Sequence, residues 1–223
     1  MEEWERTYHP CMHLPLDVLT AAGLLLLFAG AQRAYDRGMS PETTRTAVHV
    51  AGASAAACFP LYLALPDVIL LAGAFTAFLT WTYARGFMRS VHGVHRVTLG
   101  ALVFPVGLGA AAAVAWAHPA SFSYAALILG LADPAASYAG RSSRSPSWRV
   151  PGSTKSLAGS LAFFAVALAL GVLFTLHLNS GPTPAVVLVA ATLAVTEALL
   201  GYGLDNLPLP ILAAALGQHA IGL

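Results

Sequence analysis

Eight apolar stretches separated by short polar loops leave few folds open to this chain. All eight fall within the roughly 17–25 residues that a helix needs to cross a bilayer. Backbone groups in lipid must find their hydrogen-bond partners within the segment, so stretches rich in Ala, Leu and Val can only form helices there. The stretches span residues 16–34, 46–65, 67–84, 98–117, 120–139, 155–178, 184–201 and 207–223. We therefore predict an all-α, polytopic membrane bundle of seven or eight transmembrane helices.

The composition supports this class and argues against others. Hydrophobic residues make up 57% of the 223 residues and charged residues only 9%, whereas soluble domains carry about 25% charged residues. A net charge of +1 provides no broad basic surface for nucleic acid. Cys11 and Cys58 are too far apart to suggest a metal or redox motif. No linker divides the chain, so we predict a single membrane domain over residues 1–223, with a polar N-terminal segment at 1–15.

Basic residues occur in alternate loops, which predicts the orientation of the bundle. Apart from Arg6, they fall in or beside the first, third and fifth loops, and the second, fourth and sixth loops have none. The basic residues of these three loops are Arg33, Arg37, Arg45, Arg85, Arg89, Arg96, Arg141, Arg144, Arg149 and Lys155. Because basic loops stay in the cytoplasm, we predict that these loops are cytoplasmic and that both termini lie outside.

The polar stretch from Asp133 to Ser160 interrupts two apolar segments, and ionisable groups beside lipid usually mark a functional site. Further polar residues fall at the same predicted membrane face. The candidates are Arg45, His49, Asp133, Gly140, Arg141, Lys155, Ser156, Gly159, Glu197, Asp205 and Asn206. Three carboxylates beside lysine and arginine suit Mg²⁺ with a polyphosphate. The glycines and the Ser-Thr-Lys-Ser run suit phosphate binding at a helix start.

Each of these signals also has a simpler interpretation. The bases of the fifth loop can serve only to orient the chain, and Arg45 with His49 can anchor one helix face at the membrane surface. Glu197 can form a structural ion pair, and Asp205 with Asn206 can cap a helix. The chain has no GxxxxGK[ST] loop, zinc-binding helix or GxSxG elbow, so it lacks the motifs of soluble kinases and hydrolases.

In order and spacing, four motifs resemble the CTP-dependent lipid-alcohol kinases, a family that includes dolichol kinase, phytol kinase and the yeast-type diacylglycerol kinase. That family is similar in turn to phosphatidate cytidylyltransferases. The resemblance covers roughly residue 43 to the C-terminus. The motifs are Arg45-xxx-His49-xx-Gly52, Asp133-xx-Ala136-xxx-Gly140-Arg141, Lys155-Ser156-xx-Gly159-Ser160, and Glu197 with Asp205-Asn206.

The resemblance implies transfer of the γ-phosphate of CTP to the hydroxyl of a lipid alcohol at the cytoplasmic face. The alcohol would be an isoprenoid of the phytol, polyprenol or dolichol type, or diacylglycerol. By this resemblance Asp133 and Asp205 hold Mg²⁺, Glu197 helps to bind the metal or orients the hydroxyl, and Asn206 supports the metal site. Lys155 and Arg141 bind phosphate with Gly140, Ser156 and Gly159, and Arg45 with His49 borders the nucleotide. Membrane lipids are the expected surroundings, and a homodimer is compatible with the resemblance.

Two other functions remain open from the sequence. A cytidylyltransferase would join CTP to a lipid phosphate and release pyrophosphate, and that acceptor calls for additional bases. Thr46 stands where a second base would follow Arg45, which favours the alcohol acceptor. A small transporter is the other alternative, but its ionisable groups are expected near the middle of the membrane rather than at one face.

Overall fold

The computed structural model describes residues 14–94 and 98–223, which fold into a mostly helical bundle. Residues 1–13 of the predicted polar segment and Arg96 lie outside the described residues. The helices are α1 (Leu14–Asp36), α2 (Pro41–Ala56), α3 (Leu65–Ala84), α4 (Arg89–His92), α5 (Gly100–Ala115), α6 (Pro119–Leu127), α7 (Asp133–Ser142), α8 (Leu157–His177), α9 (Pro184–Leu199) and α10 (Pro208–Ala220). Two short strands, β1 (Ser147–Val150) and β2 (Ser153–Ser156), precede α8.

Within residues 14–94 and 98–223, three helices are long and apolar enough to cross a membrane, namely α1, α3 and α8. Helices α5 and α9 are also apolar but have only 16 residues each. Leucines on the outer faces of α1, α8 and α9 are exposed, as a lipid-facing surface requires. The structure thus supports three spans by length and composition, and the seven or eight spans expected from the sequence remain a prediction.

The centre of the bundle is a continuous helical stretch made of α6, a π-turn at Ile128–Ala132, and α7. Phe122, Tyr124, Ile128 and Leu129 of this stretch are fully buried. Helices α2, α5, α8 and α10 pack around it. Because most of α6 is buried among these helices, its end fixes the position of α7, which begins at Asp133.

The second predicted stretch, 46–65, is not a single helix. Helix α2 begins earlier, at Pro41, because the Ser40 hydroxyl accepts a hydrogen bond from the Thr43 N–H and proline is favourable in the first turn. It ends at Ala56, and a short 3₁₀ turn at Phe59–Leu61 follows. With 16 residues, α2 is shorter than the predicted span.

The β-hairpin corrects the all-α prediction and the predicted helix start at residue 155. Strands β1 and β2 pair antiparallel, with Val150 opposite Ser153 and Trp148 opposite Lys155. The two residues between the strands are Pro151 and Gly152, and Gly152 has a φ of +69°. Proline followed by a glycine with positive φ is the sequence of a type II turn. Lys155 therefore lies in β2, and α8 begins at Leu157.

We predict that Gly152→Ala lowers the thermal unfolding temperature and that Gly181→Ala lowers it less. Both glycines have positive φ, which disfavours any side chain. A Cβ on Gly152 would also collide with the Tyr202 ring, whereas a Cβ on Gly181 would meet open space. Thermal unfolding of both variants in detergent separates the two contributions. Equal losses would contradict the close packing of the hairpin against Tyr202.

Candidate active site

One cavity at the end of the bundle brings together all eleven residues singled out from the sequence. Its volume is about 370 Å³. Its walls come from α2, α7, the hairpin, the start of α8, the end of α9 and the 3₁₀ turn at Leu204–Asn206. The lining includes Arg45, His49, Asp133, Gly140, Arg141, Lys155, Ser156, Gly159, Glu197, Asp205 and Asn206. Residues as far apart in sequence as Arg45 and Asn206 thus share one polar cavity.

Three carboxylates meet in this cavity. One oxygen each from Asp133, Glu197 and Asp205 lie within 4.8 Å of one another. Glu197 and Asp205 are buried, and the Asp133 side chain is 25% exposed. Like charges at this distance repel strongly in a buried site, so the arrangement requires positive charge nearby.

Lys155 supplies positive charge directly to this group. Its Nζ donates to Glu197 Oε1, and it lies 3.1 Å from Asp205 Oδ2. The hairpin aims the lysine there, because opposite residues of an antiparallel pair project from the same face. Trp148, opposite Lys155, donates from Nε1 to the Ala198 carbonyl at 2.9 Å. The tryptophan therefore fixes the hairpin to the end of α9, beside Glu197.

Asp205 is positioned by a turn that is tied to the start of α5. Helix α9 ends at Leu199, and Gly203 follows with a φ of +72°. The Leu99 N–H donates to the Tyr202 carbonyl at 2.8 Å, and Asn206 Nδ2 donates to the Gly100 carbonyl at 2.9 Å. Asn206 thus holds the turn in place, a structural role in addition to the predicted support of a metal site.

The pKa values of Lys155 and Asp205 are both shifted by burial and by the neighbouring charges. Burial lowers the pKa of Lys155, but the carboxylates of Asp205 and Glu197 outweigh it, and the pKa is raised overall. Burial and the nearby charge of Asp133 raise the pKa of Asp205, and Lys155 opposes this only in part. The lysine therefore remains an ammonium at neutral pH, and the site disfavours the ionised form of Asp205.

Two arginines of the cavity are held by residues that the sequence did not single out. Arg141 Nη1 donates to Glu42 Oε1 at 2.6 Å and to Ser137 Oγ at 2.9 Å. Arg45 Nη2 donates to Thr98 Oγ1 at 3.1 Å. Ser137 precedes Arg141 by four residues in one helix, so spacing alone could have identified it. Glu42 and Thr98 come from other elements, and no local pattern indicates them.

The start of α8 differs from the phosphate cradle expected from the sequence. Its first N–H groups already have acceptors: the Pro146 carbonyl for Leu157, Ser145 Oγ for Ala158, and Ser156 Oγ for Gly159. The expected free N–H groups are therefore not present at these positions. At this side of the cavity, side chains rather than backbone N–H groups would bind a phosphate.

Gly140 and Gly159 are explained by the packing of α7 against α8. A Cβ on Gly140 would lie 2.9 Å from Ser156 Oγ. A Cβ on Gly159 would lie 2.8 Å from the Ala136 carbonyl oxygen. Contacts this short do not occur for real Cβ atoms. Both glycines thus allow the close approach that brings Asp133 and the hairpin to the same cavity, and their predicted contact with phosphate remains a prediction.

The chain matches no protein-family model, no curated protein and no solved structure.

Proposed function

We propose that this protein is an integral membrane enzyme that transfers the γ-phosphate of CTP to the hydroxyl of a lipid alcohol. The observation that carries the proposal is the convergence of Asp133, Glu197 and Asp205 with Lys155 in a polar cavity at the end of an apolar bundle. Acidic and basic side chains in an apolar bundle are energetically costly, so their presence usually marks a functional site. Carboxylates, a lysine and arginines are also the groups that enzymes use for phosphoryl transfer.

The donor set of the cavity fits Mg²⁺. When ionised, the three carboxylates carry three negative charges, and the Lys155 ammonium offsets one of them. A divalent cation would offset the remaining charge, and Mg²⁺ prefers carboxylate oxygens together with substrate phosphate oxygens. Asp133, Asp205 and Glu197 would hold it. When bound, Mg²⁺ would neutralise charge that develops on the phosphate oxygens.

The remaining side chains suit a triphosphate and an incoming hydroxyl. Arg45 and Arg141 present guanidinium groups to the cavity, and such groups bind phosphate in a bidentate manner. In the proposed reaction the lipid oxygen forms a bond to the γ-phosphorus, the bond to the β–γ bridging oxygen breaks, and CDP leaves. A carboxylate takes the hydroxyl proton. Asp133 is the most exposed of the three acids, so the alcohol would approach the carboxylate cluster from the side of Asp133.

The surface beside the cavity suits a lipid acceptor. Tyr138 on α7 is 71% exposed and Leu199 at the end of α9 is 66% exposed. Leu157, at the start of α8, is also exposed. These residues are neighbours in sequence of cavity-lining residues. An apolar chain could therefore remain in contact with the outer surface of the bundle while its hydroxyl reaches the carboxylates.

Labelled CTP tests the reaction type directly. Purified protein in lipid nanodiscs is incubated with Mg²⁺, a lipid alcohol or a lipid phosphate, and CTP labelled in either the α- or the γ-phosphate. We expect the γ label to enter the isoprenoid alcohol or diacylglycerol, with release of CDP. Transfer of the α label to a lipid phosphate, with release of pyrophosphate, would instead identify a cytidylyltransferase. Absence of both transfers would contradict a CTP-dependent enzyme and favour transport.

We predict that the cavity faces the cytoplasm. Ser142 at the end of α7 and Thr183 before α9 lie near opposite ends of α8 and are exposed. In a background with Cys11 and Cys58 replaced by serine, Ser142→Cys should resist an impermeant thiol reagent in intact cells. Thr183→Cys should react. The reverse pattern would contradict both the orientation and access of cytoplasmic CTP to the cavity.

A further inference from the structure

The π-turn before Asp133 determines the direction of this carboxylate. The turn comprises Ile128–Ala132, and α7 follows without a break. A π-turn holds about one residue more than an α-turn, and each residue rotates a helix by about 100°. Without the turn, Asp133 would project toward a different side of α7. The meeting of Asp133 with Glu197 and Asp205 therefore depends on the turn.

Pro134 explains why the turn leaves a carbonyl without its helical partner. In a π-turn each carbonyl pairs with the N–H five residues later. Residue 134 follows Leu129 by five positions, and proline has no N–H. The Leu129 carbonyl is buried in the centre of the bundle, where an unpaired polar group is costly.

His49 of α2 provides the missing donor. Its Nε2 lies 2.8 Å from the Leu129 carbonyl oxygen, so the hydrogen is on Nε2. The same nitrogen is 3.7 Å from Asp133 Oδ2, and the ring packs against Phe104 with a centroid distance of 4.7 Å. The imidazole thus connects α2, the π-turn and the first carboxylate of the cavity.

Gly130 allows α2 to come this close. A Cβ on Gly130 would lie 2.5 Å from Ala53 Cβ, which no real contact tolerates. Ala53 follows His49 by four residues, so both residues lie on the same face of α2. The absence of a side chain at residue 130 is therefore what places the imidazole at the Leu129 carbonyl.

We propose that His49 is a positioning residue that holds the π-turn, and thereby Asp133, in the geometry of the carboxylate cluster. This inference rests on the proposed function, because it assigns the role of Asp133 in that site. It also replaces the role of nucleotide contact that the sequence suggested for His49. The imidazole acts through the Leu129 carbonyl and does not touch the substrate.

Metal binding alone tests the proposal without any turnover. Binding of Mn²⁺, used as a probe for Mg²⁺, is measured by the loss of free Mn²⁺ signal in electron paramagnetic resonance. His49→Phe keeps the ring against Phe104 but loses the donor, and His49→Asn is too short to reach Leu129. We expect both variants to bind Mn²⁺ at least about tenfold more weakly, the size of effect typical of residues that orient metal ligands. His49→Gln, which retains a donor of similar reach, should recover most of the affinity.

Steady-state kinetics and a substitution at Pro134 provide further tests of the positioning role. At saturating Mg²⁺, His49→Phe should lower kcat and leave the KM for CTP within about twofold. A positioning residue does not contact CTP, so its loss weakens stabilisation of the transition state and leaves ground-state binding of CTP unchanged. Pro134→Ala returns an N–H to the turn, so His49→Phe should cost less Mn²⁺ affinity in that background. His177→Phe, at the far end of α8, is the matched control and should bind Mn²⁺ like the unaltered protein.

The outcomes separate this inference from the proposed function. If the unaltered protein binds Mn²⁺ and His49→Phe and His49→Asn bind it equally well, the positioning role is wrong while the carboxylate site stands. A raised KM for CTP with unchanged Mn²⁺ affinity would also overturn the inference and make His49 a nucleotide contact. If the unaltered protein binds no Mn²⁺, the proposed metal site and this inference both fail.

Discussion

Asp205→Asn and Asp133→Asn should each lower the rate of phosphotransfer at least about 100-fold. Replacing a residue that only orients a metal ligand already lowers metal affinity or activity about 10–100-fold, and these two residues are the proposed ligands themselves. Asparagine keeps the size of aspartate and loses its charge, and a neutral amide is a much weaker ligand for Mg²⁺. The loss should persist at saturating Mg²⁺ and CTP, since it arises in the chemical step. Initial rates with labelled CTP and a lipid alcohol measure it.

The same variants should fold as well as the unaltered protein, or better. Burial and the charge of Asp133 raise the pKa of Asp205, so the folded state disfavours its ionised form. An amide at residue 205 relieves this repulsion, and Lys155 retains Glu197 as its partner. Thermal unfolding in detergent without Mg²⁺ should therefore give an equal or higher midpoint. Loss of activity with gain of stability is typical of a functional charge.

Asp36→Asn is the matched control for this pair. Asp36 is an exposed acid at the end of α1 that accepts a hydrogen bond from Gln32 Nε2 at 2.8 Å. It lies outside the cavity lining, so its replacement should leave the rate within about twofold, as surface substitutions usually do. Near-normal turnover of Asp133→Asn or Asp205→Asn would show that the residue is not a metal ligand, and the helix-cap or ion-pair interpretation would then apply to it.

The acids of the site were predictable from the sequence because of where they lie. Glu197 interrupts one apolar stretch, and Asp133 interrupts another. A charge in such a position is costly, so its presence indicates a function even without a structure. Lys155 and Asp205 were candidates because they fall at the same predicted membrane face, and the structure brings all four residues together.

The local geometry was less predictable, because it depends on contacts between distant segments. The hairpin at Ser147–Ser156 is held by Trp148 on the end of α9, a contact that no local pattern reveals. Hydropathy also continues past Ala56, so it could not show that α2 ends there. The π-turn requires Pro134, Gly130 and the approach of α2 at once. Residue types were thus easier to predict than the directions in which their side chains point.

Lys155→Met should abolish phosphotransfer and also destabilise the protein. Methionine is similar in size to lysine but leaves Glu197 and Asp205 without their shared cation in a buried site. Removal of one partner from a buried ion pair typically costs about 3–5 kcal/mol. Mg²⁺ should raise the unfolding midpoint of this variant, because a divalent cation can replace the missing charge. The comparison is made by thermal unfolding with and without Mg²⁺.

Two further variants separate the charge of Lys155 from its chemistry. In Lys155→Met/Glu197→Gln, one unpaired charge is removed, so part of the lost stability should return while activity stays absent. Lys155→Arg keeps the positive charge, so it should fold, but its planar guanidinium is larger than an ammonium and places the charge differently. We expect it to lose at least about 90% of phosphotransfer, as one preorganised electrostatic group commonly contributes 10²–10³-fold.

Arg144→Ala is the control for a basic residue whose only predicted role is to orient the chain in the membrane. Arg144 is exposed in the same loop and lies outside the cavity lining. Its replacement removes one positive charge from the predicted cytoplasmic side and should leave activity and CTP-dependent stabilisation nearly unchanged. If Lys155→Arg is fully active and is stabilised by CTP with Mg²⁺ as strongly as the unaltered protein, Lys155 serves only to balance Glu197 and Asp205. The phosphate-binding groups would then have to be Arg45 and Arg141, which face the same cavity from α2 and α7.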